Sequence, residues 1–135
     1  MKIKQYDIWL ANLNPSKGTE PGKTRPVVII QTDLLNDTHL STLVCPITSK
    51  VNNEIQLLRV HLKKGQLDKL SDILVDQIRA IDNKRLIKKL GKLSKEQIKQ
   101  QIVWTQRMMW VVGMLVFVKV VRLVAKGINR SILSK

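Results

Sequence analysis

YDIWLANLNPSKGTEPGKTRPVVIIQ, residues 6–31, sets two apolar runs on either side of a segment that suits neither helix nor strand. In Tyr6–Leu13, Ile8, Leu10 and Asn12 fall on one side of an extended chain and Asp7, Trp9, Ala11 and Leu13 on the other. The stretch reads as a strand with two partly buried faces. Asn14–Pro26 is rich in Pro, Gly, Ser and Thr, residues that favour turns, and reads as a loop. Pro26–Gln31 is short and β-branched, fit for a buried strand.

The same pattern continues outward. Thr32–His39 is a polar turn, Ser41–Ile47 (STLVCPI) a further β-branched run, and Gln56–Leu62 and Ile73–Ile81 extend the series. Five or six short strands with turns between them predict a small β-barrel. Ser94 and Gln97 have capping-box spacing: the serine oxygen accepts from the first helical turn while the glutamine reaches back, so a helix should begin there. Strands followed by a helix argue against a parallel α/β sheet.

The chain has 135 residues, room for one domain with a real core. Its 24 Lys and Arg against 10 Asp and Glu give a formal charge of +14, which attracts polyanions, although a merely soluble basic protein carries such a charge too. Cys45 is the only cysteine, which excludes an intramolecular disulfide and a metal site built on several thiolates. The N-terminus lacks the apolar run of a secretory signal, so a cytoplasmic protein is expected.

Composition divides the chain into a body, residues 1–100, and a segment, residues 101–135. The body holds every acidic residue and nets +8; the segment has six basic residues, no acidic one, and both Trp104 and Trp110. Its longest charge-free apolar run, Met108–Val118, has 11 residues, short of the ~18 to 20 that span a bilayer. Three readings stay open for it: a helix packed on the barrel or a partner, a membrane-surface contact, or a poorly folded appendage.

Several stretches could carry chemistry. Residues 17–25 (KGTEPGKTR) could cradle phosphates with Lys17, Gly18, Thr19, Lys23 and Arg25, but lack the spacing of a nucleoside-triphosphate loop; a solvated surface loop is the plainer reading. Arg25 precedes a buried strand, and a guanidinium that grips two phosphate oxygens suits a pentavalent phosphorane. Glu20 is the natural acceptor for the proton of an attacking 2′-hydroxyl; a surface ion pair with Arg25 is the alternative. Thr48, at a strand end, could donate to a phosphate oxygen, though threonine there is more often structural. His39, His61 and Cys45 are too scattered for a zinc motif, and His61 reads as an exposed or satisfied ring. Gln77, Arg79, Arg85, Lys88, Lys89 and Lys92 form a basic, hydrogen-bonding stretch that could read bases or hold phosphates; for Lys88–Lys92 a solvated face is the equal alternative.

Three blocks, residues 6–31, LVCPITS at 43–49 and ILVDQIRAIDNKRL at 73–86, resemble the MazF/PemK toxin family in order and spacing. The resemblance implies an SH3-like β-barrel of the CcdB/MazF type with an appended helix, a homodimer, and cleavage of single-stranded RNA with neither metal nor cofactor. It implies Arg25 and Thr48 as the catalytic pair, with Glu20, Thr19 and Gln77 at positions that contact or position RNA; Glu20 is then a catalytic candidate too, and Lys17, Gly18, Lys23, Arg79 and Arg85 are candidate RNA contacts by their place in the loop and the basic stretch. An acidic antitoxin would be the protein partner, with operator DNA reached only through it. A non-catalytic nucleic-acid or gyrase-binding toxin of the same fold, or a basic protein acting on membranes through its last third, are the alternatives. Two departures stand out: Tyr6 occupies a position where the family commonly has Gly, and the acid-free segment after residue 100 replaces the family's short amphipathic helix.

Overall fold

A computed structural model of the chain describes residues 2–14, 23–52, 54, 56–63 and 65–133; the side chains of 109–118 and 128–133 lie outside the description. Among the described residues are seven strands: β1 (Asp7–Asn12), β2 (Thr24–Ile29), β3 (Ser41–Thr48), β4 (Arg59–His61), β5 (Asp72–Leu74), β6 (Arg79–Asp82) and β7 (Leu86–Lys92). A four-residue helix, α1 (Asp33–Asn36), lies inside the expected turn, and a long helix, α2 (Lys95–Leu133), follows the strands.

All the pairings are antiparallel, in the order β4-β5-β3-β2-β1-β7, with β6 also on β3. The sheet is barrel-like but not closed. Its strands bury both faces, as alternation in β1 predicted. Trp9, Ala11, Val27, Ile29 and Val44 join one apolar cluster, while Ile8, Val28, Cys45, Ile47 and Ile73 join a second. Each face excludes water from β-branched side chains, which is what holds β1, β2 and β3 in register.

The structure corrects several boundaries. β2 begins at Thr24, so Thr24 and Arg25 belong to the sheet and not to the loop; the backbone of Ala11 and Asn12 in β1 pairs with them. The run Ile73–Ile81 is broken by a 3-10 turn, Val75–Gln77, which lets its two halves pair with different parts of β3. Gln56–Leu62 contributes only Arg59–His61. Leu86–Lys92, read as a basic stretch, is the strand that flanks β1, with register shifts at Ile8/Trp9 and Leu10/Ala11.

Tyr6 has φ 68°, the left-handed region that a side chain disfavours by roughly 1–2 kcal/mol. This accounts for glycine being common there in the resembled family. Tyr6 holds the conformation through Tyr6 N–H to Ile29 O (2.7 Å) and Leu93 N–H to Tyr6 O (3.0 Å), and its ring packs on the second cluster. Burial raises the pKa of its hydroxyl.

The capping box forms as expected. Ser94 N–H donates to Gln97 Oε1 (2.9 Å), and Gln97 N–H donates to Ser94 Oγ (3.3 Å). The first turns of α2 then bury Gln97 and Gln101; the Gln101 amide donates to Cys45 Sγ (3.7 Å), and Trp104 packs against the second cluster. Cys45 is a free thiol whose burial pushes its pKa from 9.0 to about 12 against the lowering effect of Gln101, with the Asp76 charge adding to the rise. The chain forms two compact units, Met1–Trp104 and Thr105–Lys135. Among the described residues, no helix is long and apolar enough to cross a membrane.

Candidate functional site

β1 and β2 are joined at their loop ends by a tight base. Leu13 N–H donates to Lys23 O (2.9 Å), and Lys23 N–H donates to Asn14 Oδ1 (2.6 Å) with Lys23 itself at φ 61°. Arg85, in the second 3-10 turn (Asn83–Arg85), clamps the same base: its Nη1 donates to the backbone carbonyls of Asn12 (3.2 Å) and Asn14. The ends of the loop are therefore fixed at 14 and 23. Lys17, Gly18, Thr19 and Glu20 lie outside the described residues.

At this end of the sheet lies a groove of about 580 Å³. It brings together Lys23, Arg25, Thr48 and Lys88, four of the residues singled out from the sequence, with Lys50 just beyond Thr48 and with Lys69. Asp68 is the one acidic side chain among the described lining residues. Five cations against one carboxylate make a concave surface of positive potential, which concentrates a polyanion. Arg25 is half-buried, with its backbone held in β2. The β2–β3 register pairs Val27 with Pro46; carried two residues further, it sets Arg25 across from Thr48. Thr48 is buried, and its Oγ1 accepts from Lys50 N–H at 3.1 Å, so the hydroxyl orientation is fixed while its hydrogen remains to donate.

The other expected contacts lie away from this groove. Gln77 ends the 3-10 turn between β5 and β6, with its Oε1 buried and without a hydrogen-bond partner. Arg79 sits on β6 opposite Val44. Arg85 holds the loop base. Lys50 and Lys69 carried no signal in the sequence, because only folding collects them; Lys88 was visible as part of a basic stretch but not as a groove residue. Among the described residues, no group of three His, Cys, Asp or Glu side chains is placed to hold a metal ion.

The family described as PemK-like, MazF-like toxin of type II toxin-antitoxin system matches residues 4–101. The chain belongs to that family. Its fold, the MazF/CcdB type, is similar to that of MazF from Deinococcus radiodurans, at 19% identity over 81% of this chain and 97% of that one, with a TM-score of 0.71. It is similar to the Mycobacterium tuberculosis toxin MazF-mt6, at 22% identity over 75% of this chain and 93% of that one, TM-score 0.63. The MazE-MazF structure from Deinococcus radiodurans matches at 15% identity over 81% and 97%, TM-score 0.65. At such identities the likeness establishes the fold of this MazF-like toxin, and its chemistry has to be argued from its own groove.

Proposed function

We propose that this MazF-like chain is a metal-independent endoribonuclease that cuts single-stranded RNA, with Arg25 and Thr48 as its catalytic pair. The observation that carries the reading is the convergence of both residues on one groove that holds four further cations. The ribose 2′-oxygen attacks the adjacent phosphorus, the bond from phosphorus to the 5′-oxygen breaks, and a cyclic phosphate and a 5′-hydroxyl result. Glu20 takes the 2′-hydroxyl proton and the departing oxygen is protonated from solvent. The Arg25 guanidinium neutralises charge growing on the phosphorane oxygens, and the Thr48 hydroxyl donates to one of them. DNA lacks the attacking group and stays intact.

An acidic antitoxin is the partner that a groove of this charge fits, and the chain acts as a homodimer in the cytoplasm, where its RNA substrate is. The Deinococcus MazE-MazF structure and a mycobacterial endoribonuclease solved in complex with its cognate antitoxin support the partner by analogy.

The test is incubation with a labelled single-stranded RNA and its DNA counterpart, with and without chelator, beside Arg25→Ala. Chelator-resistant cutting of RNA alone is expected. The substitution should lower the rate by about 10²–10³, as loss of one transition-state donor does. Intact RNA with the unsubstituted dimer, whose size is checked by light scattering, would overturn the reading.

A further inference from the structure

Thr48 does not sit alone on its row of the sheet. Its pairing partner in β5 is Asp72, and the partner of Asp72 in β4 is His61. Directly paired residues project to the same face, so the register lines up Thr48, Asp72 and His61 across three strands, and Arg25 lines the same groove as Thr48. With strands about 4.8 Å apart, the row runs roughly 10 Å from Thr48 to His61, a distance that a few nucleotides of extended chain cover.

The far end of this row is a built site. Asp72 is fully buried, and it spends both carboxylate oxygens on fixing two side chains: Oδ1 lies 2.5 Å from His61 Nδ1 and Oδ2 lies 3.4 Å from Arg59 Nη1. A buried carboxylate is costly unless such partners repay its lost hydration. The two fixed side chains line a second groove of about 330 Å³, completed by Gln56 and, from the first turns of α2, Lys99, Gln100 and Trp104. Its volume falls at the lower end of the ~300–1,000 Å³ typical of small-ligand sites. Arg59 Nη1 also reaches Lys50 O at 3.5 Å, and Lys50 lines the first groove, so the two grooves adjoin.

The chemistry is mixed in a particular way. Arg59 and Lys99 are cations for a phosphate, Trp104 offers an aromatic ring, and Gln100 offers an amide of the kind that pairs with base edges, beside Gln56, whose Oε1 lies 3.3 Å from His61 Nε2. An acidic peptide would use the cations and leave the ring and amide idle. A nucleotide uses all three.

We propose that the Arg59–His61–Lys99–Trp104 groove is a second nucleotide subsite, which holds a base and phosphate of the same RNA strand a few residues from the bond cut beside Arg25 and Thr48. Asp72 is a positioning residue that acts through His61 and Arg59. The inference rests on the nuclease reading and extends it from a point of cleavage to a track along the strand. Binding strength then depends on RNA length, and the side chains of the second groove act only on RNA long enough to reach them.

The experiment measures fluorescence anisotropy of two labelled RNAs, of about four and about ten nucleotides, each with a 2′-deoxy residue at the cleavage point so that neither is consumed. Lys99→Ala, an exposed position, and Arg59→Gln should each weaken the longer RNA roughly five- to ten-fold and leave the shorter one unchanged. The slope of log affinity against log salt should fall by about 0.7 for each phosphate that the substitution leaves without its cation. Trp104→Phe should restore most of the affinity that Trp104→Leu loses, since stacking needs a ring and packing only needs bulk. Equal weakening of both RNAs, or none of either, overturns the subsite. So does a change of oligomeric state in the variants without length dependence, which would make the groove an interface between copies. Failure of the unsubstituted chain to bind either RNA falls on the nuclease reading itself.

Discussion

The barrel unit, Met1–Trp104, and the helical unit, Thr105–Lys135, are both basic, but they set their charges in different surroundings. In the barrel, acids hold several of the bases: Lys89 lies 3.3 Å from Asp7, Arg59 and His61 share Asp72, and Lys63 lies 3.4 Å from Glu96. Others are gathered on the groove around Arg25 and Thr48. From Thr105 onward there are six bases and no acid, and Lys119–Gly127 are all exposed, Val120, Val121, Leu123 and Val124 among them. Burial is what turns charge into position. A cation beside a buried carboxylate has one place to be, whereas a cation on an exposed helix adds to the long-range field and fixes nothing.

If that contrast is right, removing a buried charge should cost far more than removing exposed ones. Asp72→Ala should lower unfolding free energy by about 1–3 kcal/mol, because Arg59 and His61 lose a buried partner, though both keep some access to water. Urea denaturation measures it. A change below about 0.5 kcal/mol would mean that Asp72 is no better anchored than a surface group.

The parts of the barrel that the sequence disclosed are those with local causes. β1, β2 and β3 follow from alternation and β-branching, and the start of α2 from Ser94 and Gln97. β7 was hidden because Lys88, Lys89 and Lys92 mask any alternation; pairing with β1 makes it a strand. The break at Val75–Gln77 was hidden too, since ILVDQIRAI reads as one β-branched run despite its polar Asp76 and Gln77, and only pairing with β3 divides it between two partners. In the site, Arg25 and Thr48 stood out through residue type and family likeness. The link between His61 and Asp72 did not, because they lie eleven positions apart in the chain and β4–β5 pairing brings them together; His61 was legible only as an exposed or satisfied ring, without its partner.

The start of α2, inside the barrel unit, sharpens the contrast at intermediate scale. Ser94→Ala removes the oxygen that accepts from Gln97 N–H, while the Gln97 side chain keeps its bond from the backbone N–H of residue 94 and those it exchanges with Gln66 at 2.6 and 2.8 Å. The expected loss is about 1 kcal/mol, as for other N-caps. It should appear in the barrel's own unfolding transition, because the buried Gln97 and Gln101 belong to that unit. A loss of helical signal with no change in that transition would place the cap's effect in the helix alone.

The smallest effect is expected farthest from any buried partner. Lys119, Arg122 and Lys126 lie within about a sixth of the helix circumference at about 100° per residue, and all three are exposed. Changing all three to Gln should move unfolding free energy by less than about 0.5 kcal/mol, the usual range for surface positions without special contacts. The same variant has a second readout in the rate at which RNA associates. Three fewer positive charges should slow association at low salt, and the difference should vanish as salt screens the field beyond a Debye length of about 8 Å at physiological strength. A loss of stability comparable to that of Asp72→Ala would show that these cations have fixed partners after all, and the distinction between charges that position and charges that only attract would then fail for this chain.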